Sequence, residues 1–183
     1  MNLTHHFLVS MPQLNVGCFK DSVVYILDHS DNGAFGVIVN HEMGMNLEEV
    51  FSQLSISTTD DSVGDIAVLH GGPVDEGHGL VLHKHGPRFE TTTEFEGGIS
   101  VSSSRDVLES IAKREPPSQY LIFLGHAGWS AGQLESEVSD NAWLTVEASA
   151  SILFDTPLDA RRQAAGDQIG IDLTKLVAQS GHA

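Results

Sequence analysis

Apolar residues come first in unbroken runs and only later in helical spacing. His6-Phe7-Leu8-Val9-Ser10 predicts a short strand ended by Pro12, because proline has no N–H to give a ladder. Ser22 to Asp28 is β-branched and apolar almost throughout, the pattern of a central strand buried on both faces. Asp31-Asn32-Gly33 supplies a turn, since Asn and Gly tolerate positive φ, and Ala34 to Asn40 repeats the apolar run. These segments predict a hairpin. The spacing then changes. Leu47, Val50, Phe51 and Leu54 recur at helical intervals behind Asn46, with Glu49 three residues on, which predicts a capped helix over 46–54.

Ser55 to Asp65, rich in Ser, Thr and Asp, reads as a loop. Ile66 to His70 and Gly79 to His83 read as strands separated by a Gly71-Gly72-Pro73 turn, Phe89 to Phe95 as an exposed strand, and Ile99 to Ser102 as another short one. A second helix is expected from Ser103, with Val107, Leu108, Ile111 and Ala112 on its apolar face and Pro116-Pro117 as its stop. Tyr120 to Gly125 is an apolar strand, Gly132 to Val138 a short helix and Ala142 to Val146 a strand. Thr156-Pro157 is expected to open a last long helix, and Asp172 to cap a terminal one reaching Ala178. The expected core includes Val24, Ile26, Val37 and Val39 from the hairpin, and Leu121, Phe123, Trp129 and Trp143 from the second half. A hairpin followed by interspersed helices fits an α+β domain with a mixed sheet.

Composition narrows the class. A chain of 183 residues with 40% hydrophobic and 19% charged residues suits one globular domain spanning 1–183. No apolar stretch approaches the roughly 20 residues that span a bilayer, and the first residues carry no basic n-region or apolar h-region. No membrane association and a cytoplasmic location are therefore expected. Nine basic residues against twenty-five acidic ones give a net charge of −16. Such a chain repels phosphate backbones, so no direct nucleic-acid binding is expected. One cysteine, Cys18, excludes an internal disulfide framework and a cysteine-based zinc site.

Three groups have chemistry to offer. His70, His78, His83 and His85 lie within sixteen residues; His83 and His85 share a strand face, and paired imidazoles hold divalent metals. The plainer reading puts His85 in a turn, with nothing forcing the four to converge. Gly128-Trp129-Ser130-Ala131-Gly132 matches the G-x-S-x-G nucleophile elbow, with a strand before it and a helix after. Its triad would need His182, the penultimate residue, where chains fray. Against it stands a tight glycine-permitted turn with Trp129 plugged into the core. Cys18 has Lys20 beside it, which would depress a thiol pKa, but no resolving cysteine exists and a small buried apolar thiol is the preferred reading. Glu135 and Glu137 read as a solvated helix face. No catalytic residue, metal ligand or cofactor-binding residue is assigned, and no cofactor is expected.

Taken together, several segments resemble the AlgH/YqgE family of bacterial proteins. They are His6-Phe7-Leu8-Val9-Ser10-Met11-Pro12, Asp31 to Asn40, Gly71-Gly72-Pro73-Val74, Gly125-His126-Ala127-Gly128-Trp129-Ser130-Ala131-Gly132-Gln133-Leu134-Glu135, Asp140-Asn141-Ala142-Trp143-Leu144 and Ile152-Leu153-Phe154. The resemblance implies a bifurcated sheet folded into a pseudo-barrel with helices around it, and no particular reaction. A regulatory label attaches to a family member linked to exopolysaccharide control. In the family the position of Ser130 is often not serine, and where some relatives carry cysteine after Trp143-Leu144-Thr145 this chain has Val146.

Two functions compete. One is a non-catalytic binding or regulatory module that acts indirectly, with gene expression among the outcomes it allows, through a protein or small-molecule partner. The other is a hydrolase using Ser130 or a metal held by His70, His78 and His83. The first is preferred because no catalytic constellation assembles from the sequence. At physiological salt the protein is expected to leave random duplex DNA unshifted in an electrophoretic assay; a salt-sensitive micromolar complex would overturn the charge argument.

Overall fold

The computed structural model describes residues 1–14 and 17–176. In chain order the elements are β1 (His6–Ser10), β2 (Val23–Ser30), β3 (Gly33–Ile38), β4 (Glu42–Asn46), α1 (Leu47–Leu54), α2 (Asp61–Gly64), β5 (Ala67–His70), β6 (Val74–Lys84), β7 (Thr92–Phe95) and β8 (Ile99–Ser102). They continue with α3 (Arg105–Ala112), β9 (Tyr120–Ser130), α4 (Gln133–Ser139), β10 (Trp143–Glu147), α5 (Ala150–Phe154) and α6 (Arg161–Gln168). None of these helices is long and apolar enough to cross a membrane. The class is α+β, and the sheet is mixed and forked. The first half of β9 pairs parallel with β5 and antiparallel with β6, while its last four residues pair antiparallel with β3. Two compact units result, one formed by residues 1–40 and 127 onward, the other by His41–His126.

In the first unit the strand order is β10-β1-β2-β3 followed by the end of β9. Register is set by pairs such as Leu8 with Val24, Tyr25 with Val37 and Ala34 with Trp129. Val23 through Leu27 are all buried, so both faces of β2 are covered, as its unbroken apolar run requires. One face packs Leu8, Val24, Ile26 and Ile38 with Trp129, Trp143 and Leu134 of α4. Against β1 and β10 lies α6. Its Arg161 is buried and gives hydrogen bonds to the carbonyls of Thr156 and Val39. Burial pulls that guanidinium down to about 10, which leaves it charged at neutral pH.

A single carboxylate organises the aromatic part of this core. Glu137 Oε2 accepts the indole N–H of Trp129 at 2.9 Å and that of Trp143 at 2.8 Å. Its Oε1 accepts from the Gln133 amide at 2.9 Å. The two indoles meet edge to face with centroids 6.1 Å apart, the arrangement that ring quadrupoles favour. The solvated face expected for Glu137 is thus corrected: its oxygens are taken up by the core.

In the second unit the order is β4-β5-β9-β6-β8-β7, with β5 parallel to β9. Helix α1 begins with the expected capping box: Asn46 Oδ1 accepts from Glu49 N, and Glu49 Oε1 accepts from Asn46 N. With α3 it packs Leu47, Phe51, Val107 and Ile111 onto Val68, Val81 and Ile122 of the sheet. At the turn after β5 two backbones press together. A Cβ on Gly71 would collide with the Gly125 carbonyl oxygen, and one on Gly125 with that of Gly72. Gly72 and Gly125 also hold φ of +148° and +74°, which side chains with a Cβ rarely adopt. Opposite Gly125, β6 bulges. Val74 pairs with His126 and Gly79 with Leu124, so residues 75–78 stand away from the ladder.

Several expectations shift. Tyr120–Ser130 is one continuous strand, so Gly128 and Ser130 are strand residues and no turn begins until Ala131. Both Gly128 and Gly132 have room for a Cβ, but only Gly132, at φ +76°, has a backbone that disfavours one. Ser104, not Ser103, is the N-cap residue of α3, and its hydroxyl bonds to Asp106 instead of capping a backbone N–H. Pro157 is extended at φ −55°, ψ 148°, so the last helix begins only at Arg161. Leu121 is half-buried, whereas the other seven expected core residues are buried. Strand β4 and helices α2 and α5 were not foreseen. Asp172 caps a single turn over Leu173–Lys175; the rest of that expected helix lies outside the described residues.

Glu137→Ala would strand two indole N–H groups at once. A loss of about 2–6 kcal/mol is expected from unsatisfied donors at roughly 1–3 kcal/mol each, measured by urea unfolding followed by circular dichroism. Glu137→Gln, which keeps one acceptor oxygen, should lose less.

Candidate functional site

The histidine group does not converge. His70 Nε2 bonds to Glu76 at 3.0 Å, His85 Nε2 to the Ile99 carbonyl at 2.9 Å, and His78 is exposed on the β6 bulge. Among the described residues no three His, Cys, Asp or Glu side chains are grouped to hold a metal ion. Cys18 packs partly buried against the core of the first unit. Ser130 is exposed, and its hydroxyl lies 3.2 Å from Gln133 Oε1. Its backbone lacks the positive φ of a strained elbow, and His182 lies outside the described residues. The geometry around Ser130 is that of a helix entrance.

A serine–histidine pair does exist where no motif marks one. His83 Nδ1 donates to the Lys84 carbonyl at 2.8 Å, which leaves Nε2 to accept the Ser102 hydroxyl at 2.9 Å. Thr92 lies next in the chain, 2.9 Å from Ser102. The pairing resembles the base–nucleophile couple of hydrolases, but His83 and Ser102 are both fully buried. No substrate reaches that hydroxyl. It is a satisfied polar network inside a sheet.

The described part of the second unit holds a cavity of about 440 Å³, within the range of small-molecule sites. Its floor is the sheet: Val68 of β5, Leu80 and Val81 of β6, Ile122 and Phe123 of β9. Val50 and Leu54 of α1 form one wall and Val107 and Leu108 of α3 another. Floor residues are buried, whereas Gln53, Leu54, Gly77, Gly79, Ser103 and Arg105 are exposed and mark the rim. The β6 bulge supplies Gly77, the ladder supplies Gly79 where it resumes, and the His70–Glu76 contact ties the bulge to β5. Among the described residues, Arg105 is the one charged side chain in the lining. It spans the mouth. Its Nε donates to Glu109 at 2.6 Å, NH1 to the Leu54 carbonyl at 2.5 Å and NH2 to that of Ser55 at 3.4 Å. Sequence reasoning missed this site because each lining residue reads as an ordinary core or turn position.

Comparison with known proteins places this architecture. A family profile described as AlgH-like (DUF179) matches residues 7–174. The chain belongs to the AlgH-like family. Among its relatives are UPF0301 proteins of Dechloromonas aromatica, 43% identical over 183 residues, and Paraburkholderia phytofirmans, 41% identical over 185. The alignments cover all of this chain and 98% and 96% of those proteins. The solution structure of the AlgH protein from Pseudomonas aeruginosa superposes with a TM-score of 0.82 at 43% identity, covering 100% of this chain and 97% of that one. A crystal structure from Corynebacterium diphtheriae shares the fold, with a TM-score of 0.66 at 21% identity over 90% of this chain and 84% of that one.

In this AlgH-like chain the segments that carry the likeness serve the fold. Gln133 receives Ser130 N at 3.1 Å, Leu134 is wholly buried, and Glu137 anchors the indoles. Glu135 Oε1 accepts from His29 Nε2 at 2.9 Å, while His29 Nδ1 accepts from Leu3 N at 3.0 Å. The Glu135 backbone N–H, and after it His29, hold that carboxyl below the usual range. Glu135, its side chain 37% exposed, keeps a solvated face while it pairs with His29. Gly71, Gly72 and Gly125 permit the backbone contact described above.

Burial holds the His83 pKa below its ordinary 6.5. The unfolded chain therefore binds a proton near that value that the folded chain refuses, so His83 makes stability fall as pH drops from 6.5 toward the folded pKa. Urea unfolding at pH 7.5 and 5.5 should show a fall that is smaller in His83→Gln. An equal fall in both proteins would remove His83 as its source.

Proposed function

We propose that this chain is a non-catalytic binding module whose site is the cavity of the second unit, and that it takes a small, mostly apolar molecule there. The supporting observation is an apolar cavity with a polar rim: apolar residues on the floor and both walls, with Gln53, Ser103 and Arg105 at the mouth. Well-packed interiors leave few voids larger than a water molecule, so an opening of this size, floored by a continuous ladder, is best read as a receptor. The sealed His83–Ser102 pair, and a Ser130 hydroxyl whose hydrogen bond among the described residues goes to Gln133, favour binding over hydrolysis. Any influence on gene expression would run through occupancy of this site and a further partner, since a net charge of −16 opposes contact with DNA. One cysteine in the chain supports a cytoplasmic setting.

The neutral fluorophore N-phenyl-1-naphthylamine tests this directly. Titration should give saturable, one-site enhancement. Leu108→Trp, which pushes a large ring into the void from a half-buried wall position, should abolish the enhancement at a stability cost of about 1–3 kcal/mol. Enhancement that persists in a folded Leu108→Trp would place the probe elsewhere and sink the proposal.

A further inference from the structure

The rim adds chemistry that the apolar floor lacks. Arg105 is the one charged residue in the described lining, and no carboxylate lines the cavity with it. Its guanidinium is poised for exchange. The side chain is 51% exposed, and its acidic partner Glu109, one helical turn along α3, is 43% exposed. An exposed pair at this spacing contributes little, so an incoming anion displaces Glu109 at little cost. The remaining guanidinium bonds go to the last carbonyls of α1, at Leu54 and Ser55. They hold the planar fork over the mouth and need not break. A guanidinium pairs with carboxylate through parallel, charge-assisted hydrogen bonds, which a neutral hydroxyl cannot match. Ser103, exposed on the same rim, offers a hydroxyl to the same head group.

Resting on the cavity reading above, we infer that the ligand is an amphiphilic carboxylate, with its hydrocarbon portion among Val68, Val81, Val107 and Ile122 and its head on Arg105 in place of Glu109. The apolar floor excludes a second charge deeper in the molecule, because a buried charge without a partner is costly. One negative charge at one end of an apolar body is what this lining complements. Dicarboxylates of the same length are disfavoured on the same ground, and cationic amphiphiles because their head would meet the like charge of Arg105 at the mouth.

Decanoate and decanol, kept below micellar concentration, can each compete against bound N-phenyl-1-naphthylamine. Decanoate should displace the probe at roughly tenfold lower concentration than decanol. Arg105→Gln should erase that difference by weakening decanoate alone, and Glu109→Gln, which frees Arg105 from its internal partner, should strengthen decanoate about twofold, with decanol unchanged in both. Should Arg105→Gln fail to fold, the wild-type comparison and Glu109→Gln still decide. Equal displacement by acid and alcohol, or a Glu109→Gln protein no better for decanoate, overturns the carboxylate inference while leaving the apolar site standing. Absence of one-site probe binding in the wild type overturns the site itself.

Discussion

The second unit depends on a place where two backbones touch without side chains between them. Gly71 and Gly72, leaving β5, press against Gly125 in β9, with no room for a Cβ on Gly71 or Gly125. The approach brings the chain from the parallel partner of β9 into its antiparallel partner β6 within three residues. The cost appears just beyond it: β6 cannot keep register past Gly125, and residues 75–78 bulge out. That bulge is the lip of the cavity. The tight contact and the open void are two results of one packing constraint, since strands forced together at one point diverge from regular packing at the next.

A void of this size persists because what surrounds it cannot collapse inward. Its floor is a hydrogen-bonded ladder, and ladders do not bend to fill space as isolated side chains do. Its walls are helices pinned at their ends, α1 by its capping box and by Arg105 across its last carbonyls. The apolar lining forgoes dispersion contacts that a filled core would make. A bound hydrocarbon restores them, which gives occupancy a stabilising effect on the folded chain.

How far the sequence reveals this molecule depends on the range of the interaction. The hairpin around Asn32-Gly33 and the Asn46 capping box are set by residues a few positions apart, and both appear as the pattern implies. Gly128 misleads: glycine signals a turn locally, yet here it lies in a strand paired with Phe35. Glu137 looks like one more charge on a helical surface, because the indoles it serves are eight residues before it and six after. Ser102 and His83 meet across strands, nineteen residues apart, with no motif to mark them. The cavity is the least legible feature, since a void belongs to no residue. It follows from how α1, α3 and the strands of the second unit fail to fill one another.

The shared anchor at Glu137 has a spectroscopic consequence. Both tryptophans of the chain, Trp129 and Trp143, lie in the first unit, on one carboxylate and within 6.1 Å of each other. The second unit, with the cavity, has none. Tryptophan emission from this protein is therefore a signal from one unit alone, dominated by two indoles in mutual contact with a common negative charge. A melt followed at tryptophan wavelengths would record the first unit losing its core and stay blind to the second unit loosening before or after it.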